Sequence, residues 1–572
     1  MSETPMSVAP MNETPVNRPA GRDTILSVRN LVVDIGIGGA APILDGISLD
    51  IAAGETLCLV GESGSGKSVT SLAAMGLLPK NALRVRGGGI ALDGEDLLAA
   101  GAARMRQLRA TRMSMVFQEP MTALNPVLTV GRQIEEVLQA HARLSAREQR
   151  RLVLEMMEQV HLPDVQRVHA SYPHQLSGGQ RQRIMIAMAL ILKPKLLIAD
   201  EPTTALDVTT QRQILKLIRE LQERQGTAVL FITHDMGVVA DIADRVCVMH
   251  RGRVVETGSI DAILRAPAEE YTRNLLRAVP SLQPRPPRGE TSREVVLETV
   301  ELGMVYGRSS SFFRRKAGTA AAQDVNLSLK RGRTLGIVGE SGSGKSTVAR
   351  CVMRLIDPTS GSVRVRGKDI SGLSRSALRP HRKRIQMIFQ DPNRSLNPRL
   401  TVGESIIEGP VNYGTPRNQA LAKARELLEL VGLPPDAIDR HPHQFSGGQR
   451  QRIAIARALA MEPDVLVADE AVSALDVSVQ AQVLRLLDDI QTRLGVAILF
   501  ITHDLRVAAQ ICDEVAVMRK GRVVEHGPAE QVLRRPEQPY TRELLEAAPG
   551  KEWDFPNFRP LASGPAVTGT VA

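Results

Sequence analysis

Two runs of the chain, Gly61–Ser68 and Gly339–Ser346, both read GESGSGKS. Glycines at this spacing let a backbone curl so that successive N–H groups point at phosphate oxygens. The lysine then reaches the outer phosphates, and the hydroxyl after it ligates a divalent cation. Those roles fall on Gly64, Gly66, Lys67 and Ser68 in the first run, and on Gly342, Gly344, Lys345 and Ser346 in the second. The helical stretch after Lys67, SVTSLAAMGLL, turns the positive end of its dipole toward the same anion. One such run is compatible with a flexible Gly/Ser turn; two, each between an apolar strand and a helix, are not. Downstream, Asp200-Glu201 and Asp469-Glu470 each end an apolar run. Alone, such a pair is ordinary turn chemistry. Behind a phosphate loop, the first carboxylate holds Mg²⁺ through water and the second accepts a proton from attacking water. His234 and His503 close the next apolar run in FITHD, and their shared frame favours contact with a γ-phosphate over a purely structural place.

The elements that must position these residues are written twice. FQEPMTALNP at 117–126 answers FQDPNRSLNP at 389–398, and SGGQRQRI recurs at 177–184 and 446–453. From there to Tyr271 and Tyr540 the two halves run in register, 269 residues apart, so insertions are confined to the front of each half. The period is too long for a solenoid and fits two copies of one catalytic domain. TLCLV, KLLIAD and AVLFITH, with TLGIV, VLVAD and AILFITH in the second half, are continuous apolar runs that suit a parallel sheet covered by helices. Ile214, Leu217, Ile218 and Leu221, mirrored by Val483, Leu486, Leu487 and Ile490, form a helical stripe expected to bury against that sheet. The fold class is therefore α/β, duplicated. The expected divisions are an N-terminal tail over 1–23, domains over 24–282 and 294–550, a Pro/Arg-rich extended linker over 283–293, and a tail over 551–572.

Composition narrows the class. The 572 residues carry 72 Lys and Arg against 62 Asp and Glu, a net +10 that points to an anionic partner. Aromatics are only 3%, which argues against a stacking platform for single-stranded nucleic acid. No apolar run reaches the length of a membrane span, and the first residues carry no secretory signal. Four scattered cysteines without a CxxC argue against a zinc module or disulfide framework and fit a reducing cytosol; Cys58 and Cys247 are expected as small buried hydrophobes.

LSGGQ at 176–180 and FSGGQ at 445–449 complete the pattern. A serine and two glycines before QRQRIMIAMALIL offer backbone N–H groups at a second helix start, another anion-binding end. With the phosphate loops, Gln118 and Gln390, EPTTALD, EAVSALD and the two histidines, the chain resembles the ATP-binding cassette (ABC) family from about Thr24 to Pro549. That resemblance implies two nucleotide-binding domains of the P-loop NTPase type. Each has a mainly parallel core sheet, a small antiparallel β subdomain and a helical subdomain. It implies ATP and Mg²⁺ as cofactors and head-to-tail composite sites. One ATP is expected against Gly61, Ser63, Gly64, Gly66, Lys67, Ser68 and Val69, with Glu201 and His234, opposite Ser446, Gly447, Gly448 and Gln449. The other is expected against Gly339, Ser341, Gly342, Gly344, Lys345, Ser346 and Thr347, with Glu470 and His503, opposite Ser177, Gly178, Gly179 and Gln180. Ser68, Gln118 and Asp200, and Ser346, Gln390 and Asp469, are the implied Mg²⁺ ligands. Gln118 and Gln390 also join the catalytic set, and Asp207 and Asp476 connect the sites. The family's adenine-stacking aromatic is matched by Tyr306 in the second half, whereas Ile35 stands at the corresponding place in the first.

Among soluble duplicated ATPases of this family, the DNA-repair branch expects zinc-type cysteines and the translation branch a long charged linker. The segments EPMTALNP and DPNRSLNP, and the tails PAEEYTRNLLRAVPSL and PEQPYTRELLEAAP, resemble the peptide/nickel importer branch. The resemblance implies two permease subunits seated through coupling helices near Gln118 and Gln390, and an extracytoplasmic solute-binding protein. No nucleic acid is implied. The place is peripheral, on the cytoplasmic face of the inner membrane, and the basic stretch FFRRK at 312–316 is a candidate contact with anionic lipid. Di- and oligopeptides or glutathione-like solutes lead; nickel chelates, sugars and a translation-associated role stay open.

Overall fold

In the computed structural model, residues 23–36, 41–204, 206–289, 292–307, 318–473 and 475–561 are described. The N-terminal tail, FFRRK and nearly all of LASGPAVTGTVA lie outside them. The chain divides into two compact units. The first comprises Met1–Thr204, Lys216–His234 and Ile242–Thr272; the second comprises Ala205–Leu215, Asp235–Asp241 and Arg273–Ala572.

In the first unit a six-stranded sheet runs in the order Arg253–Ser259, Arg245–His250, Thr56–Val60, Ala228–Ile232, Leu196–Asp200, Met113–Val116. All neighbours are parallel except the first pair. The three strands that carry TLCLV, LLIAD and AVLFI are buried at every residue, as two-sided cover by helices requires. A four-stranded antiparallel sheet, Leu44–Ala52, Thr24–Ile35, Leu83–Leu92, Glu95–Asp96, lies in the same unit. The helices Val130–His141, Ala146–Gln159 and Gly178–Leu190 form its helical part.

The second unit repeats the plan. Its six-stranded sheet is ordered Ile385–Ile388, Val465–Asp469, Ala497–Ile501, Thr334–Val338, Glu514–Arg519, Arg522–Pro528, and only the last pair is antiparallel. Thr319–Lys330, Val295–Tyr306, Ser360–Val365 and Lys368–Asp369 make its antiparallel sheet.

The helix Val208–Gln225 buries Ile214, Leu217, Ile218 and Leu221, as its spacing predicts. In Val477–Leu494 the expected stripe is displaced: Val483, Leu487 and Ile490 are buried, but Leu484 joins them and Leu486 is only partly covered. A helix face wider than one row admits either leucine, and packing chooses between them. All four cysteines are buried thiols, and burial pushes the Cys247 thiol up to about 11.

Two connections are more structured than expected. In the linker, Arg285 pairs with Asp488 at 2.8 Å and Asp513 at 2.6 Å, and its N–H donates to Ala509 O. The stretch expected as a tail from 551 instead opens with a small hairpin, Trp553–Asp554 against Arg559–Pro560. It is ordered because Phe555 buries its ring under the Arg506 guanidinium, 5.0 Å from the centroid. No described helix is long and apolar enough to cross a membrane.

Candidate functional site

In each unit the phosphate loop joins a buried strand to a short helix. In the first, Thr56–Val60 leads into Gly61–Gly66, and Lys67–Ala74 follows with Ser68 and Val69 in its first turn. Gly64 and Gly66 hold φ of 78° and 103°, a left-handed backbone that favours glycine. Lys67 is buried, and its Nζ donates to Gly61 O at 2.7 Å and Glu62 O at 2.9 Å. The second unit repeats this around Ser341: Gly342 and Gly344 hold 77° and 106°, and Lys345 Nζ donates to Gly339 O and Glu340 O at 2.7 and 2.8 Å. Ser346 and Thr347 open its helix Lys345–Val352. Ser65 Oγ and Ser343 Oγ, at matching loop positions, are buried without a hydrogen-bond partner. Two orphaned hydroxyls in one frame are what a loop shaped for a polar ligand leaves behind.

The acidic pairs meet these loops. Ser68 Oγ donates to Asp200 Oδ1 and Ser346 Oγ to Asp469 Oδ1, both at 3.1 Å. Gln118 Nε2 donates to Glu201 Oε2 at 2.8 Å, and Gln390 Nε2 to Glu470 Oε2 at 2.7 Å. His234 Nδ1 lies 3.1 Å from Glu201 Oε1, and His503 Nδ1 lies 3.4 Å from Glu470 Oε1. Both glutamates sit in the left-handed region, φ 46° and 49°, which aims each carboxylate back toward the loop residues. Serine, lysine, aspartate, glutamate, glutamine and histidine thus converge in each unit. The histidines, expected at phosphate, lie against the glutamates.

The two carboxylates of each pair are driven apart electrostatically. Burial raises the Asp200 carboxyl; the Ser68 hydroxyl opposes this and the neighbouring Glu201 charge reinforces it. Burial also works against the Glu201 charge, but hydrogen bonds from His234 and Thr204 and the charges of His234 and Lys67 outweigh it and hold its pKa down. Burial likewise raises Asp469, and Glu470 is held down against burial by the His503 hydrogen bond and charge, the Lys345 charge and the Gln390 hydrogen bond. Burial opposes the His503 cation, yet the Glu470 hydrogen bond and charge leave its pKa raised. One member of each pair is thus kept ionised beside a buried ammonium, the arrangement that assigns different roles to adjacent carboxylates.

The signature serines cap helices. Ser177 Oγ accepts from Gln180 N and Gln180 Oε1 accepts from Ser177 N, a capping box at the start of Gly178–Leu190 that includes Gly179. Ser446 and Gln449 do the same for Gly447–Leu459. Gly448 has no room for a side chain, since a Cβ there would lie 2.3 Å from Val479 Cγ1. Within the second unit, Thr209 Oγ1 lies 2.7 Å from Asp207 Oδ1 and 2.6 Å from Glu340 Oε1, and the Asp207 charge acts on Lys345. Asp476 stands at the N-cap position of Val477–Leu494. Ile35 and Tyr306 end equivalent twelve-residue strands, both exposed.

Sequence reasoning did not give a role to the tyrosines of the tails. Tyr271 OH accepts from Glu62 N, and Tyr540 OH from Glu340 N, both at 3.3 Å, so each tail reaches the second residue of a phosphate loop. Stacking on His250 at 4.1 Å fixes the Tyr271 ring, and Arg519 sits 4.5 Å over Tyr540. Burial, only partly countered by the Glu340 amide, pushes the Tyr540 hydroxyl up to about 12, so it stays protonated. The shared 269-residue frame of YTR was the available signal. Tyr540→Phe removes the acceptor and leaves Glu340 N–H unpaired, which costs about 1 kcal/mol. The expected result is a several-fold weaker nucleotide affinity in titrations of the full chain, with the fold unchanged by circular dichroism.

A family model described as "ABC transporter" matches residues 44–204 and 322–473, more than half the chain. A second, "Oligopeptide/dipeptide transporter, C-terminal region", matches 255–303 and 524–560, the segments that carry both tyrosines. The chain is 48% identical over 534 residues to the glutathione import ATP-binding protein GsiA of Salmonella choleraesuis, with 88% of this chain and 86% of that protein covered. It is 46% identical over 528 residues to the peptidoglycan transport ATP-binding protein YejF of Agrobacterium fabrum, covering 92% and 96%. Among solved structures, cbiO1 from Clostridium perfringens, part of an ABC transporter complex, is 31% identical with a TM-score of 0.37, covering 43% of this chain and 93% of that one. The chain belongs to the ABC transporter family, as a fused ATP-binding subunit with two nucleotide-binding domains that couples ATP hydrolysis to import.

Proposed function

We propose that the chain drives the import of short peptides through two composite ATP sites, with glutathione and peptidoglycan-derived peptides as the first candidate solutes. The observation that carries the two-site reading is the duplication of the whole constellation at nearly equal distances, from the lysine to the histidine. In the ATP-bound state Lys67, Glu201 and His234 face Ser446–Gln449, and Lys345, Glu470 and His503 face Ser177–Gln180; Asp207 and Asp476 link the sites. Tyr306 stacks on adenine in the second site and Ile35 contacts it in the first, so base binding is weaker in the first site.

The donor set suits Mg²⁺, which prefers hard oxygen ligands and keeps several waters. Ser68, Asp200 and Gln118 would hold it in one site, and Ser346, Asp469 and Gln390 in the other. When bound, the ion neutralises charge on the phosphoryl oxygens. The protein's own groups do the rest. Lysine and loop amides orient the phosphates, the ionised glutamate positions water and takes its proton, and the histidine beside it contacts the γ-phosphate.

Closure of the two halves levers coupling helices of two permease subunits, seated beside Gln118 and Gln390. Exposed Phe117, next to Gln118, and Phe389, next to Gln390, give that contact an apolar component. The place of work is the cytoplasmic face of the inner membrane, and an extracytoplasmic binding protein selects the solute. The test is ATP turnover of the chain co-purified with its permeases and binding protein in lipid. Stimulation by glutathione or short peptides, and none by sugars or nickel chelates, is the expected result. Stimulation by ribosomes instead would overturn the reading.

A further inference from the structure

The end of the chain, in the second unit, grips two segments that follow catalytic positions of the first repeat. Glu546 O accepts from Arg212 Nη1 at 3.0 Å, five residues beyond Asp207. Gly550 N donates to Asp241 Oδ1 at 3.0 Å, on the helix Met236–Ile242 that begins two residues after His234. Pro549 O accepts from the buried Arg506 guanidinium, which also covers Phe555. Between these bonds two glycine backbones touch. A Cβ on Gly237 would lie 2.6 Å from Pro549 O, and one on Gly550 would lie 2.8 Å from Gly237 Cα. Gly550 also holds φ of +59°, so the contact demands glycine for conformation as well as for space. Gly237 N in turn donates to Asp235 Oδ1 at 2.8 Å, which ties the contact to the residue after His234.

The equivalent contact 269 residues away is built differently. Gln510 replaces Asp241 and donates its amide to Ser281 O at 3.1 Å, and Arg506 replaces Gly237. One contact therefore carries a buried carboxylate and the other a neutral amide.

We propose that Glu546–Phe555 is a positioning strap for the first ATP site, which sets His234 through the Gly237–Gly550 contact and the Asp241–Gly550 hydrogen bond. The inference rests on the assignment of Glu201 and His234 to a hydrolysing site. The strap is also pH-sensitive. Burial pushes the Asp241 carboxyl up to about 6; Asp235 on its own segment adds to this, while the Gly550 amide, Arg506 and Arg212 oppose it. A carboxyl whose pKa is raised in the docked state favours docking when protonated. Docking is firmest below the ordinary carboxylate range, weakens as pH rises toward 6, and is constant above that. Asparagine keeps the acceptor and removes the charge.

The test uses the full chain in its complex. The ratio of ATP turnover for Asp241→Asn over the parent should rise as pH climbs from the ordinary carboxylate range to 6, reach about threefold there, and stay level up to pH 7.5. In parallel, Gly550→Val should speed amide deuterium uptake over residues 231–242 by about tenfold and leave the helix Gly447–Leu459 unchanged. A flat ratio, or unchanged uptake over 231–242, overturns the strap. Because deuterium uptake needs no hydrolysis, it still reads the strap if Glu201→Gln shows the first site to be silent.

Discussion

Glu201→Gln combined with Glu470→Gln should lower ATP turnover of the assembled complex by about 100-fold or more, the scale of a lost general base. Each glutamate is aimed by a left-handed backbone and held by glutamine and histidine, with Thr204 as a further donor in the first site. Glutamine preserves that shape but cannot accept a proton, so nucleotide affinity should be retained while phosphate release stops. Each single variant then shows whether its site turns over. The pH dependence has a definite sign. Both glutamates are held below their ordinary range, so their contribution is complete at neutral pH and fails only on acidification through that lowered range. Turnover of the double variant within twofold of the parent would remove both carboxylates from the chemistry.

Gly344→Ala should destabilise the second domain by about 3 kcal/mol and abolish nucleotide binding there, whereas Gly66→Ala should cost about 1–2 kcal/mol. The two positions are equivalent, with φ of 106° and 103°, so the backbone strain is shared. The neighbours differ. At Gly344 a Cβ would lie 2.2 Å from the Ala321 carbonyl oxygen, which belongs to a strand and cannot turn aside. At Gly66 it would lie 2.5 Å from Leu44 Cδ2, the end of a side chain with other rotamers. Thermal melts with and without nucleotide test this. Equal losses at the two positions would mean that strain, not collision, sets the cost.

The sequence determined more of this protein than is usual because its chemistry is carried by local backbone geometry and repeated. GESGSGKS needs only a strand before it and a helix after it, and both copies have them. Apolar runs named the central strands for the same reason: every residue in them is buried, so no alternation obscures the pattern. Resemblance to the ABC family supplied the glutamines, but not what they touch.

What lies far apart in sequence was decided by the tertiary structure. Gln118 meets Glu201 across 83 residues, Tyr271 meets Glu62 across 209, and Gly550 meets Asp241 across 309. Leu484 rather than Leu486 completes a helix face, and Phe555 turns an expected tail into a hairpin, because each finds a surface no spacing rule describes. Spacing along the chain fixes which atoms a loop or a helix can present. Which of them meet depends on how side chains of many elements fill one volume, and that volume exists only in the folded protein.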